Sequence, residues 1–159
     1  MQQGQVAKWL KGITVLTGIA GLLFFLWVMP VMAESIVEAY PKTAHLKWPG
    51  IIYGWVIGVI CYAILYQFWR VCVQIGRDNS FSEENSRSFA HISRLAVLMA
   101  VIWFAGVVFL AAVKYLGPAI GIFMILVAFI CIVAAVLSAA LSHLIYKAYE
   151  MRQENDLTI

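Results

Sequence analysis

Four long runs without a charged residue constrain this chain more than any other feature. Residues 13–33, 50–69, 95–113 and 115–142 contain no Asp, Glu, Lys or Arg. A helix needs about 20 apolar residues to cross the roughly 30 Å hydrocarbon core of a bilayer, and each run is close to or beyond that length. No water in that core can satisfy an open backbone N–H or C=O, so such runs must close their hydrogen bonds within themselves, as helices. The composition agrees: 64% hydrophobic and 12% charged, against about 45–50% and 25% for a soluble domain. An all-α, four-helix transmembrane bundle is predicted, as one integral domain over residues 1–159. Spans are expected at about 12–33, 50–73, 92–114 and 118–146, with a loop at 76–91 and a tail at 147–159.

Placement of charge predicts the topology. Lys8 and Lys11 precede span one, Arg70, Arg77, Arg87 and Arg94 surround the connection between spans two and three, and Lys147 and Arg152 follow span four. Only Lys42, Lys47 and Lys114 fall on the other side. The excess of basic residues predicts that both termini and the 76–91 loop are cytoplasmic. Trp9, Trp48, Trp69, Tyr115 and Tyr146 fall at the span edges, where an interfacial belt belongs. Val31-Met32-Ala33 has the small residues of a signal-peptide cleavage site. The preceding apolar stretch exceeds the usual 7–15 residues and Pro30 lies close to the cut, so span one is expected to be retained. A formal net charge of +3 gives no reason to expect direct nucleic-acid binding.

Between these runs, local signals predict the connections. Span one is expected to end near Pro30, followed by about fifteen residues lying on the outer membrane surface. Gly50, Gly54 and Gly58 recur every fourth residue and leave one face of span two open to another helix backbone. Ala134, Ala135, Ser138, Ala139 and Ser142 form a second small-residue stripe, so spans two and four are expected to touch. A homodimer face is the other use of the glycine series. Lys114-Tyr115-Leu116-Gly117-Pro118 reads as a tight hairpin between spans three and four, with Pro118 in the first turn of the next helix. Ser82 is positioned to cap a helix beginning near residue 83, with Glu83 and Glu84 at its positive end. Ser80 with Glu83 offers an alternative capping box. Phe81, the one large apolar residue of this loop, is expected to anchor it against the bundle.

Chemistry-bearing constellations are few. The span interiors lack ionisable side chains, which argues against proton relays, ion-coupled transport and intramembrane proteolysis. The chain is therefore expected not to be an enzyme and to need no cofactor. Cys61, Cys72 and Cys131 have no CxxC spacing and read as packing residues. Cys72, His91 and His143 all fall near one boundary, yet no local spacing supports a zinc site, and no metal is expected.

Two segments carry a family resemblance. Phe81-Ser82-Glu83-Glu84-Asn85, after a Gly and before a span, resembles a "G…F-[ST]-x-E-N" signature. Glu154-Asn155-Asp156-Leu157-Thr158-Ile159 at the end of the chain resembles an "E-N-D-L-T-I" signature. Both belong to the YoaS-like group of small bacterial four-span membrane proteins, a domain of unknown function. Ser86 and Ser88 depart from it, standing where relatives often carry apolar and basic residues. The group's members are often encoded beside a very small helix-turn-helix regulator. The resemblance therefore implies a bacterial inner-membrane protein with a DNA-binding partner. The residues expected to meet it are Phe81, Glu83, Glu84, Asn85, Glu154, Asn155, Asp156, Leu157, Thr158 and Ile159, because acidic groups on loop and tail would attract a basic surface. The alternative expectation is a small transport or channel component acting as an oligomer. Membrane lipid is the solvent in either case.

Overall fold

The computed structural model describes residues 3–156, and within them every regular element is helical. They run α1 (Gln3–Leu23), a π-helical turn (Phe24–Val28), α2 (Met29–Ala39), a 3₁₀ segment (Pro41–Leu46), α3 (Lys47–Ile75), α4 (Glu83–Ala112) and α5 (Pro118–Asp156). Four helical stretches are long and apolar enough to cross a membrane: Gly4–Ala39, Pro41–Ile75, Glu83–Ala112 and Pro118–Asn155.

Span one does not stop at Pro30. Helix continues to Ala39, so the first part of the segment expected to lie on the outer surface extends the helix of span one, and the 3₁₀ segment Pro41–Leu46 follows it. The reason lies in the π turn. Proline has no N–H, and its ring collides with the carbonyl four residues back in a regular helix. Here Met29 N–H bonds Phe24 O, five residues back. In that widened series the next acceptor, Phe25 O, would need an N–H from residue 30, which is proline. Trp55 of α3 supplies the missing donor, its Nε1 lying 3.1 Å from Phe25 O. Insertion of one residue into the helical repeat thus relieves the proline clash, and a side chain from the neighbouring span satisfies the orphaned carbonyl.

This contact belongs to an antiparallel pairing of span one with α3 along its whole length. Near the termini Thr14 meets Cys72, 4.0 Å between oxygen and sulfur. At mid-height Tyr62 Oη donates to Gly18 O. The glycine series of span two serves the same pair. A Cβ on Gly58 would sit 3.2 Å from the Phe25 ring, and one on Gly54 would strike the Met29 thioether. Gly50 has nothing within 4 Å. Gly54 and Gly58 therefore receive span one, not span four, and within the chain they are not free for a second copy. At the far end Lys47 pairs with Glu34 at 2.9 Å.

The remaining helices add on one after another. α3 packs on α4 and α4 on α5, while among the described residues α5 brings no Cα within 8 Å of α1 or α3. Spans two and four consequently do not meet backbone to backbone. The inward stripe of α5 runs Met124, Ala128, Cys131, Ala135, Ser138, Ser142, with Cys131 and Ser142 half-buried and the rest buried. Its spacing alternates four and three, the repeat that keeps a seam on one neighbour. Ala134 and Ala139 are exposed instead. Small side chains along this seam let α4 and α5 approach closely, which is how helices associate where lipid removes the hydrophobic drive. Near the far end Gly106 of α4 leaves room for Tyr53, whose Oη donates to Ile102 O at 2.8 Å. Ile57, Ile60 and Met99 form the core, with Phe25, Trp103 and Cys131 against it, so side chains from all four spans meet there.

Candidate functional site

The candidate surface lies at the end where α1 starts, α3 ends, α4 starts and α5 ends. α3 terminates with two crossed bonds, Asn79 N to Gln74 O at 3.1 Å and Asp78 N to Ile75 O at 3.2 Å. That is a Schellman stop, which needs one residue in the left-handed region. Asp78 takes it, with φ of 54°, whereas Gly76 remains right-handed. Gln74 then acts as a post for the loop: its amide donates to Glu84 and its carbonyl oxygen accepts from Asn79 Nδ2 at 3.3 Å.

α4 starts as its sequence predicts. Ser82 is extended, and its Oγ accepts from Asn85 N at 3.3 Å, while Glu83 and Glu84 occupy the first turn. Ser80 has another part: its carbonyl accepts from Asn85 Nδ2 at 2.9 Å. Asn85 is 1% exposed, and among the described residues its Oδ1 has no partner. It shapes the loop from beneath and presents nothing to the outside. With the backbone held by Gln74, Ser82 and Asn85, Phe81 is turned outward and is 55% exposed. The expectation that Phe81 anchors the loop fails because Asn85 already performs that task through main-chain contacts.

Beside the loop, Ser86 and Ser142 clasp α4 to α5. Ser142 Oγ donates to Ser86 O at 2.8 Å, and Ser86 Oγ lies 2.9 Å from Ser142 O. Ser86 and Ser88, the two positions that depart from the family pattern, are both buried, and Ser86 is small where α5 lies against it. The exposed pair Glu83–Arg87, at 2.5 Å, follows one turn along. Ser86 meets Ser142, so Glu83, three residues earlier on the antiparallel helix, stands at about the height of Tyr146. α5 continues to Asp156, so Glu154 lies eight residues, about 12 Å, further along the axis. Glu154 and Asn155 are exposed. The structure thus offers a loop carrying Phe81, Glu83 and Glu84 at the foot of a projecting helix, with the two halves of the surface at different heights. Leu157, Thr158 and Ile159 lie outside the described residues, as does the Asp156 side chain.

The cysteine–histidine constellation is not assembled. Cys72 is buried against Thr14, whereas His91 and His143 are exposed. Among the described residues no three His, Cys, Asp or Glu side chains converge as a metal site would require. Two features lay beyond sequence reasoning. One is Gln67, whose Oε1 is buried inside span two with no partner among the described residues; its only signal was an amide within an uncharged run. The other is the Phe25–Trp55 bond, signalled by Pro30 alone.

These observations define a small polytopic helical membrane protein with a hydrogen-bonded loop and a projecting helix end at one end of the bundle. The chain belongs to the family described as "Protein of unknown function (DUF2975)", whose model matches residues 31–159. It is similar to the uncharacterized membrane protein YoaS of Bacillus subtilis (strain 168), 31% identical over 152 residues that cover 94% of this chain and 95% of the relative. No solved structure matches the chain.

Proposed function

We propose that this is a non-enzymatic multi-pass protein of the bacterial cytoplasmic membrane, with both termini cytoplasmic, that holds a small helix-turn-helix regulator on its loop and tail. The observation that carries the reading is the exposed Phe81. It stands on a loop pinned by Gln74, Ser82 and Asn85, close to Glu83 and Glu84 and at the foot of the projecting end of α5. An aromatic side chain among polar residues suits the anchor of a protein interface. The acidic groups of loop and tail suit a partner whose own surface is basic for phosphate contact, and a partner so held is kept from DNA. The basic residues clustered at this end support its placement in the cytoplasm.

The test is co-purification with the adjacent small regulator. Wild type should recover it, whereas Phe81→Ser and a chain ending at Gln153 should each recover at least about tenfold less, the effect expected for losing an interface anchor. Equal recovery by wild type and the shortened chain removes the tail from the reading. No recovery by wild type removes the reading.

A further inference from the structure

Span one and α3 carry a second arrangement at the terminal end, unrelated to the loop. Lys8, Lys11 and Arg70 all lie there, and neither α1 nor α3 contains an acidic residue. The ion pairs among the described residues are Lys47–Glu34 and Arg87–Glu83, so none of these three bases is neutralised by one. Lys11 leans over an aromatic ring. Its Nζ lies 5.9 Å from the centroid of the Trp69 ring, drawn to the aromatic face. Trp69 in turn forms the rim of a shallow groove of about 250 Å³ that runs toward mid-membrane between Val15, Gly18, Leu65 and Tyr66. The groove is almost wholly apolar, and Gly18 lowers one wall by having no side chain. Arg70 follows Tyr66 by four residues and so stands one turn beyond it on the same helix face. The result is two cations at the membrane boundary above an apolar furrow long enough to follow a chain into the bilayer.

We infer that this groove binds one anionic glycerophospholipid from the leaflet on the side of the termini, its phosphate between Lys11 and Arg70 and an acyl chain along Gly18 and Leu65. A zwitterionic lipid would fill the furrow equally well but would set its own cation against the two bases. The chemistry therefore selects for net negative headgroups. Soluble anions would meet the charges without the furrow, and the apolar lining favours a lipid over them.

The full-length protein in phosphatidylcholine nanodiscs, titrated with phosphatidylglycerol brominated near the carbonyl end of its chains, tests this by tryptophan quenching. Brominated phosphatidylcholine is the reference. Phosphatidylglycerol should quench at lower mole fraction, and Lys11→Gln and Arg70→Gln should each reduce that preference about fivefold. Lys11→Arg with Arg70→Lys, which keeps both charges, should retain it. Arg87→Gln with Arg94→Gln removes two charges from the same end but off the groove, and should leave it intact. Trp69→Phe should remove the differential signal. Equal quenching by the two lipids in wild type overturns the inference. So does an equal loss in the Arg87/Arg94 variant, which would mean that general surface charge is responsible. Undiminished differential quenching without Trp69 would place the lipid elsewhere and overturn it too.

Discussion

Two residues hold a backbone conformation that their side chains disfavour. Asp78 and Lys114 have φ of 54° and 61°, and both close Schellman stops, at the ends of α3 and α4. In the left-handed region a Cβ crowds the following carbonyl by roughly 1–2 kcal/mol, and glycine avoids this. Asp78→Gly and Lys114→Gly should therefore each raise stability by about 1 kcal/mol, read as a higher midpoint of thermal unfolding in detergent. Asn85→Ala should act the other way, by about 1–2 kcal/mol, since it removes the bond to Ser80 O from a buried site. Legibility at this scale was uneven. Ser82 as a cap could be read directly, because capping depends on residues three positions apart. The outward turn of Phe81 could not, because it follows from Asn85 and Gln74 holding the loop from inside.

Between elements, the decisive contact is the bond from Trp55 to the Phe25 carbonyl that Pro30 leaves without a donor. Trp55→Phe should cost about 1–3 kcal/mol by leaving Phe25 O unsatisfied in lipid. Adding Pro30→Ala should shrink that loss, because residue 30 then supplies its own N–H. A double-mutant cycle by thermal unfolding checks this, and additive losses would refute the account of the π turn. The glycines should also separate by neighbour. Gly106→Ala would set a Cβ 2.5 Å from Tyr53 Oη, which is held by Ile102, and should cost about 1–3 kcal/mol. Gly50→Ala should be nearly silent, and Gly54→Ala mild because the Met29 thioether can swing aside. Counting every fourth residue found this face in the sequence. Which helix would fill it was not legible: Phe25 and Met29 of span one meet Gly58 and Gly54, and glycine spacing carries no label for its partner.

At the scale of the whole molecule, the four uncharged runs were sufficient to predict four helices long and apolar enough to cross a membrane, and the short hairpin at 114–118 was sufficient to make α4 and α5 antiparallel neighbours. The order in which the helices pack was not legible. Small-residue stripes on α3 and α5 suggested that those helices meet, but each stripe serves a different partner, span one for α3 and α4 for α5. Apolar periodicity reports that a face is covered and carries no label for what covers it. Membrane sidedness is likewise a property of the whole chain, set by the eight basic residues at one end and three at the other. The docking reading requires that the loop and the projecting end of α5 both stand in the cytoplasm. Labelling of intact bacterial cells with a membrane-impermeant maleimide tests this most directly, in a chain whose own cysteines are replaced by alanine. Single cysteines at Lys42, Ser80 and Glu154 should react at Lys42 alone until the membrane is permeabilised. Reaction at Ser80 or Glu154 from the outside would contradict the account.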